Sequence, residues 1–318
     1  MRHAFKKKIL FCGIIVITLI ILLIHPETKP PRTYEYIEKG SILSNLLEEV
    51  SENFSSTALI DCDYRDIIYD RTTLPISLMD GDLIEGHKIK EGGEYTPSDC
   101  KPKFSTAIIV PYRDKAEELR GFLVYMHTFF HRQHIHYRIY VIEQVDTQPF
   151  NRAKLMNIGA IAAIKAGYPC LILHDVDLLP LRPANLYACT KQPRHMSSSI
   201  DKYRFVIAHI KLYGGVTAIP SKQYKEVNGM SNDFYETGGE DDDLYCRLEN
   251  HKLKMCQFDP DISQYHMWEH QKAIETKQRK YPKFSKEKML RDGLNSLKYT
   301  EECQKSHRLI KRMISVPF

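Results

Sequence analysis

In the middle of the chain, short runs of consecutive apolar residues alternate with segments of helical periodicity. The runs at 106–110, 137–145 and 170–173 have the length and continuity of buried strands. Between them, residues 115–130 and 153–165 predict helices. The alternation of strand and helix predicts right-handed βαβ units with parallel strands, and therefore an α/β fold. The first helix is expected to bury one apolar face, formed by Leu119, Phe122, Leu123, Met126 and Phe130.

Two polar clusters follow predicted strands. Pro111-Tyr112-Arg113 stands where the first strand is expected to stop, and Asp175-Val176-Asp177 follows the third strand. Ligands of open α/β sheets bind beyond the carboxyl ends of the strands. Alternate residues of an extended segment point the same way, so the two carboxylates can converge on a hard cation and the phosphate it holds. A solvated turn would give the same short pattern.

The N-terminal segment combines four basic residues with a nearly unbroken apolar run. As a helix, residues 9–24 would span about 24 Å, slightly less than a hydrocarbon core of about 30 Å. No small-residue cleavage site follows the run, which argues against the alternative of a cleaved signal peptide. We therefore predict a cytosolic tail at 1–8 and a single transmembrane signal anchor at 9–24.

Prolines open the next segment and Ser and Glu dominate it, so residues 25–58 are predicted to form a stem. Asn53 begins an Asn-Phe-Ser sequon and is the glycosylation site we predict. Residues 59–318 form the predicted lumenal catalytic domain. Of 45 basic residues, four precede residue 9, which leaves 41 against 40 acidic residues. This balance gives no reason to expect a nucleic-acid partner.

The chain contains eight cysteines, seven of them beyond the predicted anchor in an oxidising compartment. Cys170 and Cys189 flank the Asp-Val-Asp segment, so a disulfide between them would constrain it. The sequence alone leaves the pairing of the seven open.

Four consecutive carboxylates at 240–243 follow Gly238 and Gly239 and open a predicted helix. Acidic residues stabilise a helix N-terminus, but four exceed what capping requires. The two glycines would let a substrate reach Glu240 and Asp241. This cluster is the strongest candidate for catalytic chemistry.

Three further segments have two interpretations each. Arg113 and Lys115 could hold a uracil or phosphate, or be charges of a solvated turn. Residues 150–152 precede a helix, where backbone amides favour anions, but an N-cap with a surface arginine explains them equally. The glycines at 214–215 permit close approach of the backbone to a ligand, or mark a bend.

The segment at 266–270 contains the H-x-x-E-H pattern of one class of zinc peptidase. A peptidase would use His266, Glu269 and His270, and would leave the Asp-Val-Asp and Gly-Gly-acid segments without a role. In the other interpretation, Met267 and His270 join Asp177 on one metal ion.

In their order along the chain, these motifs resemble the β1,4-galactosyltransferase family, a group of inverting type II Golgi membrane enzymes. The resemblance implies a GT-A fold, which is Rossmann-like with a mixed, mostly parallel sheet, behind the signal anchor. It covers roughly residues 60–300 and is carried by the segments at 111–115, 150–159, 175–177, 192–195, 213–216, 238–243, 267–270 and 289–297.

The resemblance also implies roles for individual residues. Mn²⁺ would be the cofactor, ligated by Asp177, Met267 and His270. Asp241 would be the general base, and Glu240 would orient the acceptor. The implied disulfides are Cys62–Cys100 and Cys170–Cys189.

The substrate residues follow from the same resemblance. The donor would contact Pro111, Tyr112, Arg113, Lys115, Phe150, Asn151, Arg152, Asp175, Val176, Lys202, Leu212 and Gly215. The acceptor, a glycan ending in GlcNAc, would contact Gly238, Gly239, Glu240, Asp241, Lys283 and Phe284.

Two positions depart from the pattern of galactose-using members. Thr237 replaces a tryptophan that helps close a mobile loop over the donor, which motivates a third hypothesis, a sugar-binding homologue with weak or no catalysis. Leu212 stands where galactose-specific members have a tyrosine. Leucine leaves room for an acetamido group, so UDP-GalNAc is expected as a donor beside UDP-Gal.

Overall fold

The computed structural model describes residues 2–24, 36–51, 59–80, 88–205, 214–235, 238–268, 285–307 and 310–317. Its α-helices are α1 (Arg2–Ile24), α2 (Ile42–Asn45), α3 (Arg65–Tyr69), α4 (Ala116–His131), α5 (Arg152–Lys165), α6 (Ser221–Glu226), α7 (Glu240–Asn250) and α8 (Lys286–Arg291). The strands are β1 (Tyr36–Ile37), β2 (Glu94–Tyr95), β3 (Ser105–Tyr112), β4 (His136–Gln144), β5 (Cys170–His174), β6 (Leu178–Pro180), β7 (Arg194–His195), β8 (Ser199–Ile200), β9 (Val216–Pro220), β10 (Gln257–Phe258), β11 (Gln264–Met267), β12 (Tyr299–His307) and β13 (Ile310–Pro317).

The five elements predicted around the first polar clusters are confirmed, with bounds that differ by one or two residues. They form the units β3-α4-β4 and β4-α5-β5, in which β3 pairs in parallel with both β4 and β5. The prediction that Pro111 stops the first strand is wrong, because β3 continues two residues beyond the predicted end, through Tyr112. The pairing of β3 with β5 ends at Ile109, so Pro111 is paired on one side only, as at the edge of a sheet, where a proline is tolerated.

The main sheet runs in the order β12-β13-β4-β3-β5-β9-β7, and β2 pairs with β4 beside this path. The sheet is mixed, as predicted, but it is not mostly parallel. Among the described strands, three neighbouring pairs are parallel and four are antiparallel. The antiparallel strands lie at the edges, where β9 and β7 extend the sheet on one side and β12 closes it on the other.

Apolar side chains cover both faces of the main sheet. On one face, Ile108 and Val110 of β3 belong to the same core as Phe122 of α4. On the other face, Ile109 packs in a second core with Ile158 of α5. Because side chains alternate between the faces of a strand, a continuous apolar run such as that of β3 serves both cores. The predicted apolar face of α4 is confirmed as part of the first core.

Two smaller sheets complete the described architecture. Strand β11 lies between β6 and β8, antiparallel to the first and parallel to the second. Strand β1 pairs with β10 and joins the segment before the catalytic domain to the rest of the fold. The pairing of β11 with β6 matters for the site, since β6 begins directly after the Asp-Val-Asp segment.

No helix in the described part of the chain combines the length and apolarity required of a membrane span. The signal anchor at 9–24 and the stem at 25–58 therefore stay predictions from the sequence. Asn53, the predicted glycosylation site, lies outside the described residues.

Candidate active site

The carboxyl end of β5 and the start of β9 bring two predicted site segments together. The backbone N–H of Asp175 donates to the carbonyl of Gly215 at 3.0 Å. Strand β9 begins at Val216 and pairs antiparallel with β5, from His174 onward. The Asp-Val-Asp segment (the D-x-D segment) and the Gly214–Gly215 turn are therefore held side by side at the carboxyl end of β5.

The Gly214–Gly215 turn requires both of its glycines. Gly215 has φ +93°, a conformation that favours glycine. A Cβ at this position would lie 2.6 Å from the Cδ1 of Leu178, and a Cβ at Gly214 would lie 2.3 Å from the Oδ2 of Asp241. The backbone of Gly214 thus lies directly against the carboxylate that the sequence predicts to be the base.

We expect Gly214→Ala to displace the Asp241 carboxylate, because the added methyl group and Oδ2 cannot share the space between them. Turnover should fall by roughly 10- to 100-fold, as is usual for misplacement of about 1 Å in an active site. Steady-state kinetics on the purified variant measures this effect. The control is Gly40→Ala, since a Cβ at Gly40 meets nothing within 4 Å; equal turnover of the two variants would contradict the contact.

Arg152, the first residue of α5, joins the donor side and the acceptor side of the predicted site. Its Nε donates to Asp175 Oδ1 at 2.6 Å, and one terminal nitrogen donates to Asp241 Oδ1 at 2.9 Å. The same nitrogen lies 3.8 Å from Glu240 Oε1. The interpretation of Arg152 as a surface arginine is therefore wrong, because its guanidinium is surrounded by three carboxylates.

These contacts determine the protonation of the site. Desolvation opposes the charge on Arg152, but Asp175, Asp241 and Glu240 together raise its pKa well above the ordinary value. Desolvation and the charges of Asp177 and Asp241 raise the pKa of Asp175 to about 7, although Arg152 opposes this shift. Burial, with the charge of Asp241, also raises the pKa of Glu240. The guanidinium of Arg152 thus offsets the mutual repulsion of the carboxylates that surround it.

Three of the four consecutive carboxylates at the start of α7 have distinct contacts. Gly238 and Gly239 both have positive φ, and Glu240 turns back to accept the N–H of Gly238 at 3.0 Å. Asp243 is buried and accepts from the Nε of Arg247 at 2.5 Å. Asp243 therefore supports the fold, whereas Glu240 and Asp241 face Arg152.

The pairing of β11 with β6 brings two of the predicted metal ligands together. Met267 is opposite Leu178, one residue beyond Asp177. The N–H of Trp268 donates to the carbonyl of Asp177 at 2.8 Å. Both Asp177 and Met267 are only partly buried. The third predicted ligand, His270, lies outside the described residues.

Lys202 lies beside the same strand, in the 3-10 helix Asp201–Tyr203. The carboxylate of Asp201 accepts the N–H of Met267 at 3.0 Å and binds the ring of His266. The lysine that the sequence assigns to the donor phosphates is therefore adjacent to the predicted metal segment, and its own side chain is exposed.

The zinc-peptidase hypothesis is not supported by this geometry. His266 lies in strand β11, and the Nδ1 of its ring is bound by Asp201. In the part of the chain that the structure describes, the only cluster of possible metal ligands is Asp99, Cys100 and His134. Cys100 of that cluster is bonded to Cys62. His266 thus links β11 to the Asp201 carboxylate, and Glu269 and His270, the other two residues of the peptidase pattern, lie outside the described residues.

Arg113 and Phe150 form one wall near the end of β3. The guanidinium of Arg113 lies 5.2 Å from the centre of the Phe150 ring and donates to the carbonyl of Gln148 at 2.7 Å. Lys115 is the partly exposed residue that precedes α4. An aromatic ring with a neighbouring cation suits the flat base of a nucleotide.

The remaining predicted donor residues also have contacts within the fold. Pro111, Tyr112 and Val176 are buried, the last two in the core beneath the site. Asn151 is the N-cap of α5, where its side chain accepts the N–H of Lys154 at 2.9 Å. The N-cap interpretation of Asn151 is therefore confirmed. The other predicted substrate residues that lie outside the described part are Leu212, Lys283 and Phe284, and Thr237 lies outside it as well.

Both predicted disulfides form, Cys62–Cys100 and Cys170–Cys189. The second joins the start of β5 to the segment before β7. It therefore constrains the polypeptide on either side of the D-x-D segment, as its position in the sequence suggested.

Sequence reasoning missed the polar residues that tie α5 to the loop after α6. The amide of Asn157, on the same helix α5, forms hydrogen bonds with Tyr224, Met230 and Asn232. The side-chain amide of Asn232 in turn donates to the carbonyl of Gly293, in the loop after α8, at 2.7 Å. A buried amide with all its hydrogen-bonding groups used is a rigid anchor. The only sequence signal was a polar residue inside an apolar helix.

Comparison with known proteins agrees with the resemblance noted in the sequence. The family described as the N-terminal region of glycosyl transferase group 7 matches residues 75–190. The family described as the N-terminal domain of galactosyltransferase matches residues 194–271. The two matches together contain the predicted donor and base residues between Pro111 and Asp241.

Three curated relatives are similar over most of the chain. Bovine β1,4-galactosyltransferase 1 is 41% identical over 217 residues, which cover 67% of this chain and 54% of the relative. Rat β1,4-galactosyltransferase 6 is 34% identical over 260 residues, covering 78% and 68%. Human β1,4-galactosyltransferase 2 is 39% identical over 214 residues, covering 65% and 58%. The chain thus spans little more than half the length of the bovine and human relatives.

Solved structures agree with these sequence matches. The catalytic domain of Drosophila β1,4-galactosyltransferase 7 in complex with xylobiose superposes with a TM-score of 0.57 at 27% identity, covering 68% of this chain and 94% of that one. A mutant of the same enzyme, solved with manganese, UDP-Gal and xylobiose, gives a TM-score of 0.56. Sequence and fold together show that the chain belongs to the β1,4-galactosyltransferase family.

Proposed function

We propose that this chain is a Mn²⁺-dependent inverting glycosyltransferase. It moves galactose or N-acetylgalactosamine from the UDP-sugar to the 4-OH of a terminal GlcNAc and forms a β1,4 bond. The observation that carries this proposal is the bridge made by Arg152, which brings the D-x-D carboxylate and Asp241 onto one guanidinium. The residues proposed to bind the donor and the residue proposed to deprotonate the acceptor therefore lie next to each other. The manganese and UDP-Gal present in the Drosophila structure support the choice of cofactor and donor class.

In the proposed reaction, Asp241 accepts the proton of the acceptor 4-OH as its oxygen attacks the anomeric carbon. The bond between that carbon and the diphosphate oxygen breaks on the opposite face, and its electron pair leaves with UDP. The configuration at the anomeric carbon is therefore inverted. Glu240, which is held by the N–H of Gly238, orients the acceptor beside the base.

The residues at the predicted metal site fit a divalent cation. The charge of Asp177 contributes to the raised pKa of Asp175, an effect that a bound cation would relieve. Asp177, Met267 and His270 would hold the ion, and carboxylate and imidazole are ligands that suit Mn²⁺ and related metals. When bound, Mn²⁺ supplies Lewis-acid stabilisation of the departing diphosphate. Arg113 and Phe150 would hold the uracil, and Lys202 the phosphates.

We further propose that the enzyme works on glycoconjugates in the Golgi lumen, behind the signal anchor predicted at residues 9–24. The apolar run of that segment supports a membrane anchor, and the family membership supports the compartment. The two cross-linked cysteine pairs suit an oxidising lumen.

The donor preference rests on Leu212, where a tyrosine would crowd the C2 substituent of the sugar. We expect UDP-GalNAc to be used at least as well as UDP-Gal, because leucine leaves room for the acetamide and gives its methyl group an apolar contact. One such contact is worth roughly 1 kcal/mol, so the preference should be several-fold. Substituting Leu212→Tyr should move the ratio of kcat/KM values toward UDP-Gal.

The measurement is kcat/KM for both donors with GlcNAc and Mn²⁺, before and after Leu212→Tyr. The ratio of the two donors within one enzyme is its own control, since any loss of folded protein cancels. An unchanged ratio of the two kcat/KM values would contradict the role of Leu212 in donor preference. Binding of UDP and GlcNAc without turnover of any donor would instead favour the sugar-binding homologue suggested by Thr237.

A further inference from the structure

The Gly214–Gly215 turn contacts both the Asp-Val-Asp segment and the predicted base, Asp241. The carbonyl of Gly215 accepts the N–H of Asp175, and the Cα of Gly214 lies against the carboxylate of Asp241. A shift of this turn would therefore move the predicted base relative to the D-x-D segment. Whatever fixes the turn also fixes the distance across which the sugar is transferred.

Two side chains behind the turn converge on one atom. The Nε2 of His195 and the Oγ of Ser197 each lie 3.2 Å from the carbonyl oxygen of Gly214. The same Oγ accepts the N–H of Val216 at 2.9 Å. A carbonyl oxygen has two lone pairs, so these two donors use its full capacity. His195 itself is buried at the end of β7 and paired with Thr217 of β9.

The hydrogen-bond partners assign the protonation of the His195 ring. The Gly214 carbonyl can only accept, so Nε2 must carry the hydrogen. The Nδ1 atom faces the amide nitrogen of Gln257 at 3.2 Å and accepts from it. Burial lowers the pKa of His195 to about 4, so the ring is neutral and Nδ1 can accept from Gln257. His195 is therefore a permanent donor to Gly214 across the neutral pH range.

We propose that His195, assisted by Ser197, is a positioning residue for sugar transfer that holds the Gly214 carbonyl and thereby fixes Asp241 against the acceptor hydroxyl. This inference rests on the proposed function, in which Asp241 is the base. His195 does not touch the reacting atoms, and its whole effect passes through the turn. The motif at 192–195 thus gains a role that its position in the sequence did not reveal.

The test is His195→Phe in the full chain, assayed with Mn²⁺, UDP-sugar and GlcNAc. Removing the donor should lower kcat roughly tenfold, since the turn is loosened and not displaced. The affinity for UDP with Mn²⁺ should change less than about twofold, because Arg152 also holds Asp175. His195→Gln keeps an N–H at a similar reach and should restore kcat to within about threefold of the parent. The shape of the pH–rate profile should be the same in all three proteins.

His136→Phe is the matched control. His136 is also buried, hydrogen-bonded to Ser105 and has a pKa lowered by burial to about 4, but it lies at the start of β4. This substitution should lower the thermal midpoint and leave kcat unchanged. A kcat of His195→Phe within about twofold of the parent would overturn the proposal. So would a loss that His195→Gln fails to restore, or an equal loss in His136→Phe.

Two further measurements keep the outcome interpretable. If His195→Phe does not fold, His195→Leu removes the same donor with a smaller side chain and is read by the same criteria. If Asp241→Asn keeps full activity, the proposed function itself fails. If Asp241→Asn is inactive while His195→Phe is fully active, only the positioning role fails.

Discussion

Replacing Asp241 by asparagine is expected to reduce sugar transfer by roughly 10³-fold, within the range by which general bases accelerate reactions. Asparagine has nearly the same shape but cannot take the proton of the acceptor hydroxyl. Its side-chain oxygen can still accept from Arg152, as the carboxylate does at 2.9 Å. The variant should therefore bind UDP and Mn²⁺ almost as the parent does, which calorimetry can measure.

The adjacent residue provides a matched control for Asp241. Asp242→Asn removes one charge from the same helical turn and should leave kcat within about threefold of the parent. Transfer by Asp241→Asn that persists within a few-fold of the parent would mean that another group acts as the base. Equal losses in both variants would mean that the charge of the helix N-terminus matters, and not the base.

Arg152 is the second residue whose replacement should have a large effect. In Arg152→Gln the carboxylates of Asp175, Glu240 and Asp241 lose their common cation. We expect kcat/KM to fall by roughly 10²-fold, because both the donor side and the base lose a charged hydrogen bond. The structural reason is that Arg152 donates to Asp175 and Asp241 at the same time.

The pH dependence should change in a defined direction. Arg152 lowers the pKa values of Asp175 and Glu240 against the effect of desolvation. Without it, these carboxylates hold their protons to higher pH, so the acidic limb of the pH–rate profile should move upward. Arg152→Lys keeps the charge but not the forked geometry of the guanidinium. It should return the acidic limb of the pH–rate profile toward its parental position more fully than it restores kcat/KM. An acidic limb that stays in place in Arg152→Gln would contradict the assigned contacts.

The sequence predicted the centre of the fold well, because there the local pattern and the tertiary structure agree. Continuous apolar runs became β3, β4 and β5, since strands buried on both faces need apolar residues at every position. The edges of the sheet were not predictable in this way. Strand β7 has two residues, and β13 pairs with β4 across more than 160 residues of chain. Neither short length nor distant pairing leaves a local pattern.

The candidate site shows the same division between local and distant information. The run of carboxylates at 240–243 marked the site, but the sequence could not separate Asp241 from Asp243. That separation depends on packing, because Asp243 pairs with Arg247 four residues further along the same helix, whereas Asp241 faces Arg152 of α5. Likewise, the roles of His195 and Asn157 depend on carbonyls and amides brought together from distant segments.

The central claim, inverting transfer to the 4-OH of GlcNAc, is tested most directly by the structure of the product. The full chain is incubated with Mn²⁺, UDP-GalNAc or UDP-Gal, and a GlcNAc acceptor, and the disaccharide is analysed by NMR. Our account predicts a single product with a β-anomeric bond to O4, which Asp241→Asn does not form. An α-anomer, a bond to another hydroxyl, or release of UDP without any bond to GlcNAc would contradict it.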